Sequence, residues 1–208
     1  MKKNLADIDP VTLGYVQQYF AQFMALSIDE LRQLLAYCEL RQFDKKQIIL
    51  KAGEIDDHLS IIVRGLVRKY IYVGKTEQTL QLATEGHVVN SEISFLKREP
   101  SIVELQTLQP TMMISLRYNK MMEALERYPP GERLGRLILS KMYTKKDERR
   151  FDRALRNVRE RFLEYVNRHP HMLQRVPQRY LASYLNIKPE TFSRLKHLIK
   201  PAKSSSGN

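Results

Sequence analysis

The chain has 208 residues, 43% of them hydrophobic and 28% charged, with 35 Lys and Arg against 23 Asp and Glu and a formal net charge of +12. That length can enclose a core and as many as two modest domains, which excludes a peptide or a tail. No apolar run approaches the ~18 residues of a membrane span and the start MKKNLADIDP lacks the apolar centre of a signal peptide, so a cytoplasmic protein is expected. The single cysteine, Cys38, can form neither an internal disulfide nor a thiolate cluster, and is expected only to pack.

The charge is segregated. Met1–Glu132 holds 16 Lys and Arg against 17 Asp and Glu, a net −1, whereas Arg133–Asn208 holds 19 against 6, a net +13. A cationic excess confined to one third of the chain points to a polyanion, most simply a nucleic acid. An anionic membrane is the weaker partner, because these cations are interleaved with core-type spacing rather than opposed to one apolar stripe.

In chain order, Met1–Leu35 reads as helical. Leu13, Val16, Phe20 and Phe23 keep helical spacing, and Ser27 with Glu30 makes a capping box before Leu31, Leu34 and Leu35. From Tyr37 to Leu116 the texture turns to short β-type runs (QIIL, LSIIV, LVRKYIYV, TLQLA, IVELQTL, TMMISL) punctuated by Gly53, Gly65, Gly74 and Gly86. Short strands at this spacing predict an antiparallel roll or barrel, with alternating faces in Leu66–Val73. Tyr118–Tyr128 predicts a short helix with Met121, Met122 and Leu125 inward. Pro129-Pro130-Gly131 then starts a helix of about five turns through Arg150, striped by Leu134, Leu137, Ile138 and Met142. That stripe serves equally for packing within the domain.

Phe151–Arg168 is expected to continue helically through Leu155, Val158, Phe162 and Val166, with a hinge near Asp152, until His169-Pro170-His171 breaks it. Two histidines around a proline have no neighbouring ligands to complete a metal site, so a loop is the expectation. In Val176–Lys200, Leu181, Ala182 and Leu185 mark one helix, Asn186 a left-handed stop and Pro189 the first turn of a second helix. Phe192, Leu195 and Ile199 would point inward, leaving Glu190, Thr191, Arg194 and His197 as an outward polar strip able to meet base edges. Gln178, Arg179 and Lys188 would meet phosphates. A solvated helical hairpin is the alternative for these residues alone. The tail Ala202–Asn208 is expected to be disordered.

The run ASYLNIKPETFSRLKH resembles the DNA-binding signature of the CRP/FNR superfamily of transcription regulators, with Glu190 and Arg194 at the family's spacing. Asn186 stands where Gly is usual, Lys188 where a capping Ser or Thr is commoner, and a β-hairpin wing would be abbreviated or missing. The β-rich region resembles the same superfamily's cyclic-nucleotide-binding roll through Lys51-Ala52-Gly53-Glu54 with Asp57, Val63-Arg64-Gly65-Leu66-Val67, Glu85-Gly86-His87 and Glu92 through Ser101. In relatives a Gly-Glu pair and a later Arg-Ser or Arg-Thr hold the ribose and the phosphate. Here Glu92 and Ser101 match, Ser91 replaces the Gly, and Pro100 falls at the Arg. Proline supplies neither charge nor N–H to a buried phosphodiester, so cyclic AMP and cyclic GMP are not expected, unless Lys97 or Arg98 substitutes.

The resemblance implies an α+β chain: an N-terminal antiparallel β-roll, jelly-roll-like with flanking helices (1–118), connecting and dimerisation helices (119–151), a C-terminal helix-turn-helix or winged-helix-like unit (152–201) and the tail (202–208). It implies a homodimer joined near Leu134, Leu137, Ile138, Lys141 and Met142. The effector pocket, if used by an unknown small molecule, lies at Ser91, Glu92, Arg98 and Ser101. Double-stranded DNA with a partly palindromic site, and RNA polymerase, are the partners, with no cofactor and no membrane. No phosphate loop, nucleophile elbow, metalloprotease helix or dinucleotide fingerprint occurs, and His58 beside Asp56 and Asp57 is the nearest approach to an acid–base group, so no enzyme is expected. The rival readings are a true cyclic-nucleotide receptor and a scaffold or RNA-binding protein with a basic helical third.

Overall fold

A computed structural model describes residues 10–199. Two helices lead, α1 (Pro10–Ala21) and α2 (Ile28–Leu35). The second starts at the expected capping box: Glu30 N–H donates to Ser27 Oγ at 3.2 Å, and Ser27 N–H to the Glu30 carboxylate at 2.8 Å. Eight strands follow: β1 (Cys38–Phe43), β2 (Ile48–Leu50), β3 (His58–Arg64), β4 (Val67–Val73), β5 (Thr76–Ala83), β6 (Val88–Val89), then, after the short helix α3 (Glu92–Lys97), β7 (Glu104–Thr107) and β8 (Thr111–Arg117). They form two antiparallel sheets in the orders β1-β8-β3-β6 and β2-β7-β4-β5, the interleaved order of a jelly-roll-like sandwich. Leu50, Ile62, Val67, Ala83, Val89, Leu105 and Met113 fill the space between the sheets.

The first strand, CELRQF, lacks the β-branched texture of the others. Its full antiparallel register against β8, Cys38↔Leu116 to Phe43↔Thr111, makes it a strand, and no local pattern announces that. Cys38 lies in it, its thiol donating to the Leu34 carbonyl and pushed up to about 12 by burial and by Glu39. At Gly65 the backbone turns with φ +116°, and a Cβ there would lie 2.5 Å from Thr111 Oγ1 and 2.7 Å from the Pro110 carbonyl, so only glycine fits.

α4 (Tyr118–Arg127) and α5 (Pro129–Leu155) follow. Three expectations are corrected here. On α4 the buried residue is Ala124, while Met122 and Leu125 are exposed rather than inward. α5 runs 27 residues, about 40 Å, and the break falls at Arg156 and Asn157 rather than near Asp152. Asn157 begins a second capping box, its side chain accepting from Glu160 N–H at 3.0 Å, which starts a new helix, α6 (Val158–Arg168), instead of prolonging α5. Leu155 is 82% exposed and so does not continue the apolar row of Phe162 and Val166.

The C-terminal unit comprises α6, α7 (Met172–Arg175), α8 (Gln178–Leu185) and α9 (Pro189–Lys196). Every described element after β8 is helical, so no wing hairpin occurs among the described residues. The expected disorder of Ala202–Asn208 lies outside them. Phe162, Val166, Met172, Val176, Leu181, Ala182 and Phe192 form this unit's core, and Leu66, Leu82 and Leu108 of the roll belong to the same cluster. The roll and the helical unit therefore share one apolar seam.

Candidate functional site

Two places carry the expected functional residues: the α8–α9 pair and the turn around α3. In the first, Asn186 adopts the left-handed conformation, φ 55° and ψ 50°, so its short polar side chain takes a corner that most residues avoid. Pro189 opens α9, and Lys188 at the N-cap contributes no side-chain hydrogen bond. Phe192 is 1% exposed and meets Phe162 edge to face at 5.2 Å, fixing the inner side of α9. Glu190, Arg194 and His197 are exposed and Thr191 half-buried on the opposite side, and Gln178, Arg179 and Lys188 are exposed beside them. Arg194 reaches only Thr191 Oγ1, at 3.5 Å, and Arg179 leans on Tyr180. None of these charges is neutralised by an ion pair among the described residues.

In the second place the polar side chains are largely bonded to one another. Asp56 is buried and accepts from the N–H of Ser91 at 2.6 Å and of His58 at 3.1 Å. Burial raises its pKa against those hydrogen bonds. Ser101 Oγ donates to Ser91 Oγ at 2.9 Å, and Ser94 Oγ accepts from Asp56 N–H and donates to the Glu99 carbonyl. Lys69, on β4, points into the roll: its ammonium donates to the Asn90 carbonyl at 2.9 Å and pairs with Glu92. The expected ribose-holding carboxylate therefore already has a cation.

Arg98 is engaged with its own neighbours. It occupies a left-handed helix end, donates to Asp57 Oδ1 at 2.8 Å and to the Asp56 carbonyl at 2.9 Å, and lies 4.4 Å over the Tyr118 ring. Lys97 is exposed. Nothing in the sequence announces Lys69, because a lysine between Arg68 and Tyr70 looks like the solvated face of a half-buried strand. β4 is instead covered on both sides, and Val67 through Tyr70 are all buried. Lys69 faces the roll interior, and Arg68 faces α8, between the rings of Tyr70 at 3.8 Å and Tyr180 at 4.0 Å.

The expected dimer residues divide. Leu134 is 3% exposed in the core with Val16, Phe20 and Leu31, and Ile138 packs on that core. Lys141 reaches Gln22 and lies 4.9 Å over the Phe23 ring. These three make contacts within the chain, as a 3.6-residue period keeps positions 134, 138 and 141 on one side of the helix. Leu137 and Met142 are half-buried. The apolar side chains left exposed on α5 are Leu139, Tyr143, Phe151 and Leu155. His58, the acid–base candidate, instead bonds Glu39 at 2.9 Å, and its pKa is lowered chiefly by burial. No group of three metal-ligating side chains, and no helix long and apolar enough to cross a membrane, occurs among the described residues.

Residues 40–128 match the cyclic nucleotide-binding domain family. Among solved structures, the chain is similar to CLP of Xanthomonas campestris, a c-di-GMP-responsive global regulator, with 18% identity, a TM-score of 0.63, and coverage of 83% of this chain and 91% of that one. It is similar to the Catabolite Activator Protein of Thermus thermophilus at 20% identity and TM-score 0.54, covering 85% and 84%. DNR from Pseudomonas aeruginosa follows at 19% identity and TM-score 0.53, covering 92% and 88%. No curated protein sequence matches the chain. Likeness at this identity establishes the shared fold: a β-roll with flanking helices, and a helical C-terminal part.

Proposed function

We propose that this chain is a CRP/FNR-type transcription regulator, a homodimer that binds double-stranded DNA through α9 and whose roll works without cyclic AMP or cyclic GMP. The observation that carries the reading is the outward strip of Glu190, Thr191, Arg194 and His197 on a helix whose other side is locked by Phe192. It lies in the third of the chain that holds the whole cationic excess. Arg194 suits guanine O6 and N7, Glu190 suits cytosine N4, and Gln178, Arg179 and Lys188 are placed for phosphates. Two copies related by a two-fold axis read half-sites roughly 34 Å apart on a partly palindromic operator. RNA polymerase is then the partner through which the bound regulator acts.

The dimer reading is supported by Leu139, Tyr143, Phe151 and Leu155, which stay exposed along α5 in the single chain. The reading of the roll is supported by Pro100, which offers a buried cyclic phosphate neither charge nor N–H, and by the Glu92 carboxylate, which is already paired with the Lys69 ammonium. The deciding experiment is selected-binding sequencing with the native chain and Arg194→Ala. The substitution is expected to weaken specific binding by about 1–3 kcal/mol and to relax one base position in each half-site. An unchanged preferred motif rejects the role given to α9.

A further inference from the structure

Four turns of the roll and α7 meet at one end of the roll around a cavity of about 330 Å³. Lys45 comes from the β1–β2 turn, Arg64 and Gly65 from β3–β4, Glu85 from β5–β6, Gln109 from β7–β8, and Arg175 from α7. Arg175 is the charged clasp between the two parts of the chain. Its Nη1 and Nη2 each lie 2.8 Å from a Glu85 carboxylate oxygen, and it donates further to Gln109 and to the Gly65 carbonyl. Glu85 also accepts the Gly65 N–H at 2.9 Å.

The charges do not balance. Three cations line the cavity against one carboxylate, and that carboxylate is wholly engaged. Lys45 and Arg64 are exposed and form no ion pair among the described residues. Chiefly the Arg175 hydrogen bond, acting against burial, holds Glu85 down at about 2, so the clasp is ionised throughout the physiological range.

We infer that this cavity binds a small dianion, a phosphate monoester or a dicarboxylate, which takes the Arg175 fork and the Gly65 N–H from Glu85 and so loosens the helical unit from the roll. A planar fork accepts carboxylate and phosphate oxygens in the same geometry. A ligand with one charge would only exchange one carboxylate for another. The second charge supplies the difference, because it alone reaches Lys45 and Arg64, which Glu85 leaves unmatched. Such a ligand favours the loosened arrangement by its differential affinity for the two states. The seam is then held by its remaining ties: the Thr79 N–H to Ser183 Oγ at 2.8 Å, Ser183 Oγ to the Glu77 carbonyl, Gln78 to the Ser183 carbonyl, Arg68 against Tyr180, and the apolar contacts of Leu66, Leu82 and Leu108.

The site does not depend on what α9 recognises, and its test needs no specific DNA. The full chain is titrated calorimetrically with inorganic phosphate and, separately, with succinate, at one ionic strength set with chloride. Saturable binding of at least one probe is expected. Lys45→Ala with Arg64→Ala, both exposed and unpaired, is expected to weaken it by at least about tenfold while leaving the unliganded melting temperature unchanged. Glu85→Gln, which removes the competitor, is expected to tighten it. No saturable binding of either probe, or equal affinity in the double variant, overturns the proposal. So does binding of a short random duplex but of neither small anion, lost in the double variant, which would assign the cations to backbone phosphate.

Discussion

The turn around α3 and the α9 helix are both rich in polar side chains, and the fold treats them oppositely. Around α3, Asp56, Lys69, Ser91, Glu92, Arg98 and Ser101 are tied to one another. On α9, Glu190, Arg194 and His197 face solvent, no ion pair holding them. Charges inside a low-dielectric roll are tolerated only when each finds a partner, whereas charges on a helix surface are free to meet an outside one. The α9 strip and the exposed apolar side chains of α5 are open to macromolecular partners.

The largest expected effect breaks the open side. Leu139→Asp with Tyr143→Asp is expected to yield monomers by analytical ultracentrifugation and to cut affinity for a two-half-site operator by ~10²–10⁴-fold, as the second half-site ceases to be intramolecular. A dimer that survives both substitutions would move the interface elsewhere.

The next concerns the closed side and pH. Burial first, then the Lys145 and Arg149 charges, hold His87 down at about 4, and His169 adds in the same sense. The unfolded chain takes up this proton near 6.5 and the folded one only near 4. Stability is therefore unaffected above pH 6.5 and falls as pH drops from 6.5 to 4, by about 3 kcal/mol for this group. Glu85 acts in a lower window: its contribution is present above about 4.5 and is lost as pH falls toward 2. His58 and His169, also held below their ordinary value mainly by burial, add to the loss in the upper window. Denaturant melts of His87→Gln across pH 4–7 should show a flatter profile, and a profile identical to the native one would remove His87 from the account.

Third, the two ends of the internal ion pair are unequal. Glu92→Gln leaves the buried Lys69 ammonium without a counter-charge and is expected to cost about 1–3 kcal/mol. Lys69→Met removes the charge itself and is expected to be near neutral in the same urea titrations. Equal costs would mean that the pair contributes as a surface bridge does. The smallest effect lies on α9: Lys188→Ser supplies the missing cap, with an expected gain of about 1 kcal/mol in thermal unfolding and no change in the preferred DNA motif.

Where an element is built from its own neighbours in sequence, the reading and the fold agree. The Ser27–Glu30 capping box, the left-handed Asn186, Pro189 at a helix start and the buried Phe192 are local features, visible within a few residues. The same kind of feature, Asn157 with Glu160, is equally local, and it sets the break after α5. What was not legible rests on distant pairing. CELRQF is a strand because β8 lies beside it, and Leu134 is core because α1 and α2 cover it. Lys69 and Arg68 are buried because the roll closes on one side of β4 and α8 on the other.

The sequence by itself determined the periodicities, caps and turns, and with them the order of roll, long helix and helical pair, since those preferences are set by backbone sterics and by residues three or four apart. The tertiary structure alone decided which polar side chains would be spent inside. Burial of a charge is a property of everything packed around it, and only the closed roll and its seam with α7 and α8 bring Lys69 to Glu92 and Arg175 to Glu85.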